Sequence, residues 1–245
     1  MEMAMLTNKP LYGEDAYLCQ APGLVVEHLA EGGLVVAPSL FYPTGGGQPG
    51  DAGFLSWQGG RCLIENTLKG PGGNSVLIPR EGGDLPPVGA EVTQQLDWPR
   101  RFGHMKVHTA LHLLSVVVPF DVSGGAISAT KGRLDFNMPE APTDKQALQE
   151  QLQMLIDQDL EVTQSWITDA ELDANPQLVK TMSVSPPRGS GQVRLVRIGS
   201  AQEQVDLQPC GGTHVKRSAE IGKIRLGKME KKGKQNRRIY LHLED

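Results

Sequence analysis

The sequence predicts an α+β protein whose first part is a small barrel or sandwich and whose second part mixes helices with an antiparallel sheet. Aromatic residues make up only 5% of the 245 residues, so a core rests on Val, Leu, Ile and Ala, while 29 Gly and 17 Pro demand more turns than a helical bundle tolerates. Glycine and proline also concentrate early, with 17 Gly and 10 Pro in residues 1–100 against 12 and 7 in the remaining 145. Helical spacing of apolar residues begins only after residue 100.

Taken in order, short apolar runs at 23–28, 33–37, 61–64 and 75–78 lie between Gly/Pro punctuation and read as strands. The segment Asp97-Trp98-Pro99-Arg100-Arg101 closes this part, because the residue before a proline leaves the helical region and a helix can begin just after it. Domains of 1–98 and 99–245 follow. The first helix is expected over 101–118, with Val107, Leu111, Leu114 and Val118 at helical spacing. Thr143, with Gln146 as its capping-box partner, opens a second helix whose stripe is Leu148, Leu152, Leu155 and Ile156, and Thr168 with Glu171 repeats the start signal. Alternating residues at 193–198, 205–207, 221–226 and 239–243 predict strands, and helices beside an antiparallel sheet make the second domain α+β.

Composition bounds the function classes. No Lys/Arg-led apolar segment stands at the N-terminus, and the longest apolar stretch, near 113–120, is too short to span a bilayer. Cys19, Cys62 and Cys210 are an odd, widely spaced set that offers no disulfide framework and suits a reducing cytoplasm, with Cys19 and Cys62 read as small apolar strand residues. The net charge of −4 hides an asymmetry: residues 216–238 hold ten Lys/Arg against two Glu, a local +8, which leaves −12 for the rest. A polyanion can dock on that tail while the remaining surface repels nonspecific nucleic acid.

Histidine spacing is the sharpest chemical signal. His104, His108 and His112 fall four apart on the first helix and so share a face, which lets two of them grip one ion. Cys210-Gly211-Gly212-Thr213-His214 offers a thiolate and an imidazole four apart, with two glycines allowing a tight backbone path. One sulfur and three imidazole nitrogens suit tetrahedral zinc. Spacing alone leaves the pairs His104/His108 and His108/His112 open; Leu111, Leu113 and Leu114 around His112 point it into the domain and favour the second.

The stretch His108-Thr109-Ala110-Leu111-His112-Leu113-Leu114, the distant Cys210-Gly211-Gly212-Thr213-His214-Val215, and Phe41-Tyr42-Pro43-Thr44-Gly45-Gly46-Gly47-Gln48-Pro49-Gly50-Asp51 together resemble the stand-alone alanyl-tRNA editing proteins, AlaX, relatives of the editing domain of alanyl-tRNA synthetase. The likeness runs in order from about residue 38 to 243 and takes in Gly132-Arg133-Leu134-Asp135-Phe136 and Lys232-Gly233-Lys234-Gln235-Asn236-Arg237-Arg238. It implies a small β-barrel before an α+β editing domain, one zinc ion on His108, His112, Cys210 and His214, with His104 left as an outlying polar residue, and hydrolysis of tRNA for alanine mischarged with serine or glycine. No synthetase catalytic core fits in this length, which implies the trans-acting form.

Such a site must place a water and stabilise an oxyanion on an already activated ester. Zinc can lower the pKa of a bound water, but four protein ligands leave no open position, so the favoured scheme has zinc shaping the site while backbone N–H groups near Gly211 and Gly212 and the substrate's ribose hydroxyl position water. Sparing Ala-tRNA requires a polar partner for the serine hydroxyl, for which Ser123, Thr109 and Thr130 are candidates. Gly45, Gly46, Gly47 and Gln48 read as a loop at the editing pocket or against RNA, and Lys231, Lys232, Lys234, Arg237 and Arg238 as phosphate contacts on a duplex acceptor stem. The competing class is a noncatalytic tRNA-binding module with a structural zinc, and a third is a general zinc hydrolase of small esters. Oligomeric state has no signature in the sequence.

Overall fold

The computed structural model describes residues 10–182 and 191–244. The chain divides into two units, one running up to Phe102 and one from Gly103 onward. The fold is α+β with antiparallel sheets, and among the described residues no helix is long and apolar enough to cross a membrane.

The first unit is a closed six-stranded barrel. Its strands are β1 (Gln20–His28), β2 (Leu34–Ala37), β3 (Gly53–Trp57), β4 (Gly60–Lys69), β5 (Ser75–Pro79) and β6 (Glu91–Leu96), in the order β1-β2-β5-β4-β3-β6 with β6 returning to β1. Closure removes free edges. Val25, Leu34, Val36, Leu55, Ile64, Leu77, Val92 and Leu96 fill the interior. Cys62 is buried on β4 as expected, whereas Cys19 precedes β1 and its thiol donates to Tyr17 O.

The glycine-rich run is a structural device of this unit. Gly45 and Gln48 exchange backbone hydrogen bonds of 3.0 Å each way, and Gly46 (φ 57°) and Gly47 (φ 83°) both take the positive φ that a type I′ hairpin turn requires. A Cβ on Gly50 would lie 2.0 Å from Thr67 O. The run ends at Asp51, 1% exposed, which holds the equally buried guanidinium of Arg101 with two hydrogen bonds of 3.0 Å from Nε and a shorter one from a terminal nitrogen. Gln48 is fully buried, so its side chain is not placed to meet RNA, the second of the two readings of this loop.

The second unit is built on α1 (Trp98–Val117), which begins earlier than expected because Asp97 Oδ1 accepts the Arg100 N–H and caps it. The strands β7 (Val122–Ile127) and β8 (Lys131–Asn137) follow, then α2 (Lys145–Asp157), β9 (Val162–Thr168), α3 (Asp169–Ala174), β10 (Gln192–Gly199), β11 (Gln204–Pro209), β12 (Lys223–Lys231) and β13 (Asn236–Glu244). They form a four-stranded sheet, β12-β13-β8-β7, and a three-stranded one, β11-β10-β9. Gly132 lets α1 lie close over β8: a Cβ there would sit 2.6 Å from Val107 Cγ1 and 2.9 Å from Leu111 Cδ1.

The cap of α2 is Asp144, which accepts from Ala147 N, rather than Thr143; a carboxylate is a strong acceptor at a helix N-terminus, and Gln146 instead donates to Glu150. Leu148, Leu152 and Ile156 are the buried stripe. On the same helix, Gln149 and Gln153 accept the N–H groups of Leu226 and Ile224, which covers the outer edge of β12. Thr168 and Glu171 form the expected capping box of α3.

Candidate metal centre

Two local structures bring the donors together. On α1, His108 and His112 are one turn apart and 7% exposed each. Strand β11 ends at Pro209; Cys210 N still donates to Arg194 O, after which the chain turns through Gly211 and Gly212 to His214. Arg194 clamps this turn by donating to Gly212 O (2.6 Å) and Cys210 O (3.3 Å). The ligand atoms of His108, His112, Cys210 and His214 all lie within 4.8 Å of one another. His104, 2% exposed, lies outside the group.

The donor set fits a tetrahedral cation. Bonds of about 2.0–2.1 Å to nitrogen and about 2.3 Å to sulfur at tetrahedral angles set ideal donor separations of about 3.3–3.6 Å, and the two sulfur–nitrogen distances lie close to that range. Cys210 Sγ lies 3.5 Å from His108 Nε2 and 3.2 Å from His214 Nε2. Two imidazoles are fixed from behind. His112 Nδ1–H donates to Asp206 Oδ2 (3.0 Å), and His214 Nδ1–H to Thr109 Oγ1 (3.1 Å), so both rings are held with Nε2 on the side of the sulfur.

Electrostatics favour the metal-binding forms of two of these donors, Cys210 and His214. Burial raises the Cys210 thiol, but its electrostatic interactions with His108 and His214 and its hydrogen bonds with His108 and His112 hold it well below its ordinary range, which favours the thiolate. Burial, reinforced by the charge of His108, pushes His214 down to about 3, and a neutral imidazole is the form that binds metal. Burial also works against a charged His112, yet its hydrogen bonds with Asp206 and Cys210 outweigh this and raise it to about 9. Asp206 falls to about 2, because the hydrogen bond and charge of His112, with Lys180, outweigh its own burial.

Thr109 donates to Met105 O (2.9 Å) while accepting from His214 and from Val215 N (3.3 Å). Its one proton and two lone pairs are thereby engaged, which corrects its expected role as reader of a substrate hydroxyl. Gly212 N–H points at Cys210 Sγ (3.4 Å), so it supports the thiolate rather than an oxyanion; Gly211 is exposed at the turn. Ser123, on β7, donates to Asp135 O and accepts from Asn236 Nδ2, both at 3.1 Å, and Thr130 is exposed in the turn between β7 and β8. Among the described residues, no hydrogen bond joins either of these two to the four donors.

Of the expected phosphate contacts, Lys231, Lys232 and Lys234 are exposed at the β12–β13 hairpin, with Lys232 3.0 Å from Glu230 Oε2. Arg237 is a correction. It is 7% exposed, and its guanidinium donates to the carbonyls of Gly233, Lys234, Asn236 and Pro139, which makes it a structural anchor of the hairpin. Arg238 is likewise held by Asp135 at 2.7 and 2.8 Å.

Sequence reasoning missed Asp206, Gln208, Lys180 and Arg194. Asp206, Gln208 and Cys210 alternate, so a strand puts all three on one face. That period, counted back from the cysteine, was the available signal.

Residues 193–240 match the family model described as the threonyl and alanyl tRNA synthetase second additional domain, a span that contains Cys210 and His214. An alanyl-tRNA editing protein AlaX-M of Saccharolobus solfataricus is 33% identical over 239 residues, covering 95% of this chain and 98% of that protein. An AlaX-M of Methanosarcina mazei is 31% identical, with 97% of each covered. An alanine–tRNA ligase of Pyrobaculum neutrophilum is 30% identical over 94% of this chain, which spans only 27% of the ligase.

Proposed function

Because the chain belongs to the AlaX family of alanyl-tRNA editing proteins, we propose that it is a zinc-dependent deacylase, working in trans in the cytoplasm on tRNA for alanine that carries serine or glycine. The convergence of one thiolate and three imidazoles is the observation that carries this reading. His108, His112, Cys210 and His214 are the residues that would hold the zinc. When bound, zinc supplies a Lewis-acidic centre that shapes the site and orients the amino end of the substrate.

The chain's own groups do the rest. Arg194 fixes the turn, Asp206 and Thr109 fix two imidazoles, and Gly211, exposed beside the sulfur, offers backbone polarity where charge develops on the ester oxygen. The ester is already activated, so no strong general base is needed. The ribose hydroxyl of the substrate places the water.

Incubation with the three aminoacyl forms tests the reading. Seryl and glycyl esters of tRNA for alanine are expected to disappear while the alanyl ester persists. A noncatalytic tRNA-binding module with a structural zinc is the second reading, favoured by the closed set of four protein ligands. Three intact esters would refute the deacylase and leave that reading standing. In the same assay Ser123→Ala and Thr130→Val separate the two remaining candidates for reading the serine hydroxyl. Loss of the reader slows seryl hydrolysis at least about tenfold and leaves glycyl hydrolysis unchanged, because glycine has no hydroxyl to recognise.

For the RNA, the exposed lysines are the proposed phosphate contacts. Replacing Lys231 and Lys234 together by alanine should lower the slope of log affinity against log salt by about 1.4–1.8, at about 0.7–0.9 per contact. Binding should weaken equally for every acceptor-stem sequence, since phosphates carry no base information. A slope identical to that of the wild type removes the hairpin from the interface.

A further inference from the structure

Asp206 is a buried carboxylate with more work than a single hydrogen bond requires. Its side chain is fully buried. Oδ2 accepts from His112 Nδ1 (3.0 Å) and Gln208 Nε2 (2.8 Å), while Oδ1 takes Lys180 Nζ at 2.6 Å. His214 is held from behind by a neutral hydroxyl, and His112 by a full negative charge. A carboxylate behind an imidazole strengthens the nitrogen on the other side of the ring as a donor and fixes the ring plane.

Lys180 reaches this carboxylate from a third part of the chain. Its backbone is fastened to the edge of β7, where Val122 N donates to Lys180 O (2.9 Å) and Met182 N donates to Val122 O (2.8 Å). Its side chain is 30% exposed, so the ammonium keeps contact with water while neutralising a carboxylate that has none. Asp206 lies on β11, in the three-stranded sheet, and β7 edges the four-stranded one. The Lys180–Asp206 contact therefore joins the two sheets of this unit behind one helix-borne ligand.

We propose that Lys180 and Asp206 are positioning residues for the metal centre: Asp206 orients His112 and strengthens it as a donor, and Lys180 holds the Asp206 carboxylate in place. The proposal deepens the zinc reading and rests on it. Neither residue touches the substrate in this scheme; both act through His112.

The test measures metal binding on the full-length chain, without any turnover. Zinc affinity is read by competition with a chromophoric chelator, and the geometry of the centre by the visible bands of the cobalt-substituted protein. Asp206→Asn keeps the size and an acceptor oxygen but removes the charge. It should weaken zinc binding by about 10–100-fold and shift the cobalt bands. Lys180→Met should weaken zinc binding several-fold, and Lys180→Arg should restore most of it, a rescue that loss of packing does not produce. Should Asp206→Asn fail to fold, the Lys180 pair decides alone. Unchanged affinity and unchanged cobalt bands in Asp206→Asn, or equal affinities in Lys180→Met and wild type, would overturn the positioning role. A wild-type chain that binds no zinc would overturn this proposal together with the zinc reading, which is a separate and visible result.

Discussion

Cys210→Ala should lose its zinc, and with it hydrolysis of the seryl ester. The sulfur is the centre of the group: it lies 3.5 Å from His108 Nε2 and 3.2 Å from His214 Nε2, and it receives the Gly212 N–H at 3.4 Å. Removing it takes away the one anionic ligand and leaves three buried imidazoles facing one another. Substitutions behind a metal ligand cost about 10–100-fold in affinity or activity, so deleting a direct ligand should exceed about 100-fold in rate. Metal analysis should show a fall from about one zinc per chain toward none, the ratio that four protein ligands around one ion imply. His214→Ala should do the same. His104→Gln is the contrast, because His104 has the same spacing from His108 as His112 yet stands outside the four donors. Its zinc content should match that of the wild type. Full zinc content in both Cys210→Ala and His214→Ala would refute the ligand assignment.

That contrast shows which parts of the molecule were legible in the sequence. Spacing placed three histidines on one helical face but could not choose between two pairs, since a four-residue step is the same wherever it begins. The choice depends on which turn of α1 faces the end of β11, a matter of tertiary packing. Strands with alternating or frequent apolar residues, such as β13 and β10, were readable. β7 was not, because Val-Ser-Gly-Gly-Ala-Ile carries two glycines where side chains would show a period, and β9 was hidden by a face that stays largely exposed. The arginines of the tail misled for a related reason. Charge counted along the chain does not separate a solvated cation such as Lys234 from Arg237, whose guanidinium satisfies four backbone carbonyls. The glycine-rich run looked like a ligand loop because glycines serve both uses; Gly50 is there so that the chain can pass Thr67 O and deliver Asp51 to Arg101.

Breaking that buried pair is the second large effect. Asp51→Ala should destabilise the barrel unit by about 3–5 kcal/mol, since Arg101 would keep a charge at 0% exposure with no counter-ion. For a unit of roughly 100 residues this corresponds to a fall in melting temperature of about 15 °C or more, measurable by thermal denaturation. The Tyr42 N–H, which donates to Asp51 Oδ2 at 2.6 Å, loses its acceptor as well. Arg101→Lys should rescue little. The guanidinium reaches both carboxylate oxygens and, through its remaining N–H groups, Ala16 O and Leu40 O at 3.0 Å each; an ammonium has three donors on one nitrogen and cannot span those positions. Asp51→Leu combined with Arg101→Met should recover part of the loss, because two apolar side chains leave no unpaired charge, yet the carbonyls of Ala16 and Leu40 and the Tyr42 N–H remain without their partners. The double variant should therefore melt between Asp51→Ala and the wild type. Melting at the wild-type temperature in Asp51→Ala would mean that the ion pair contributes nothing to the barrel and that the glycine-rich run is kept for another reason.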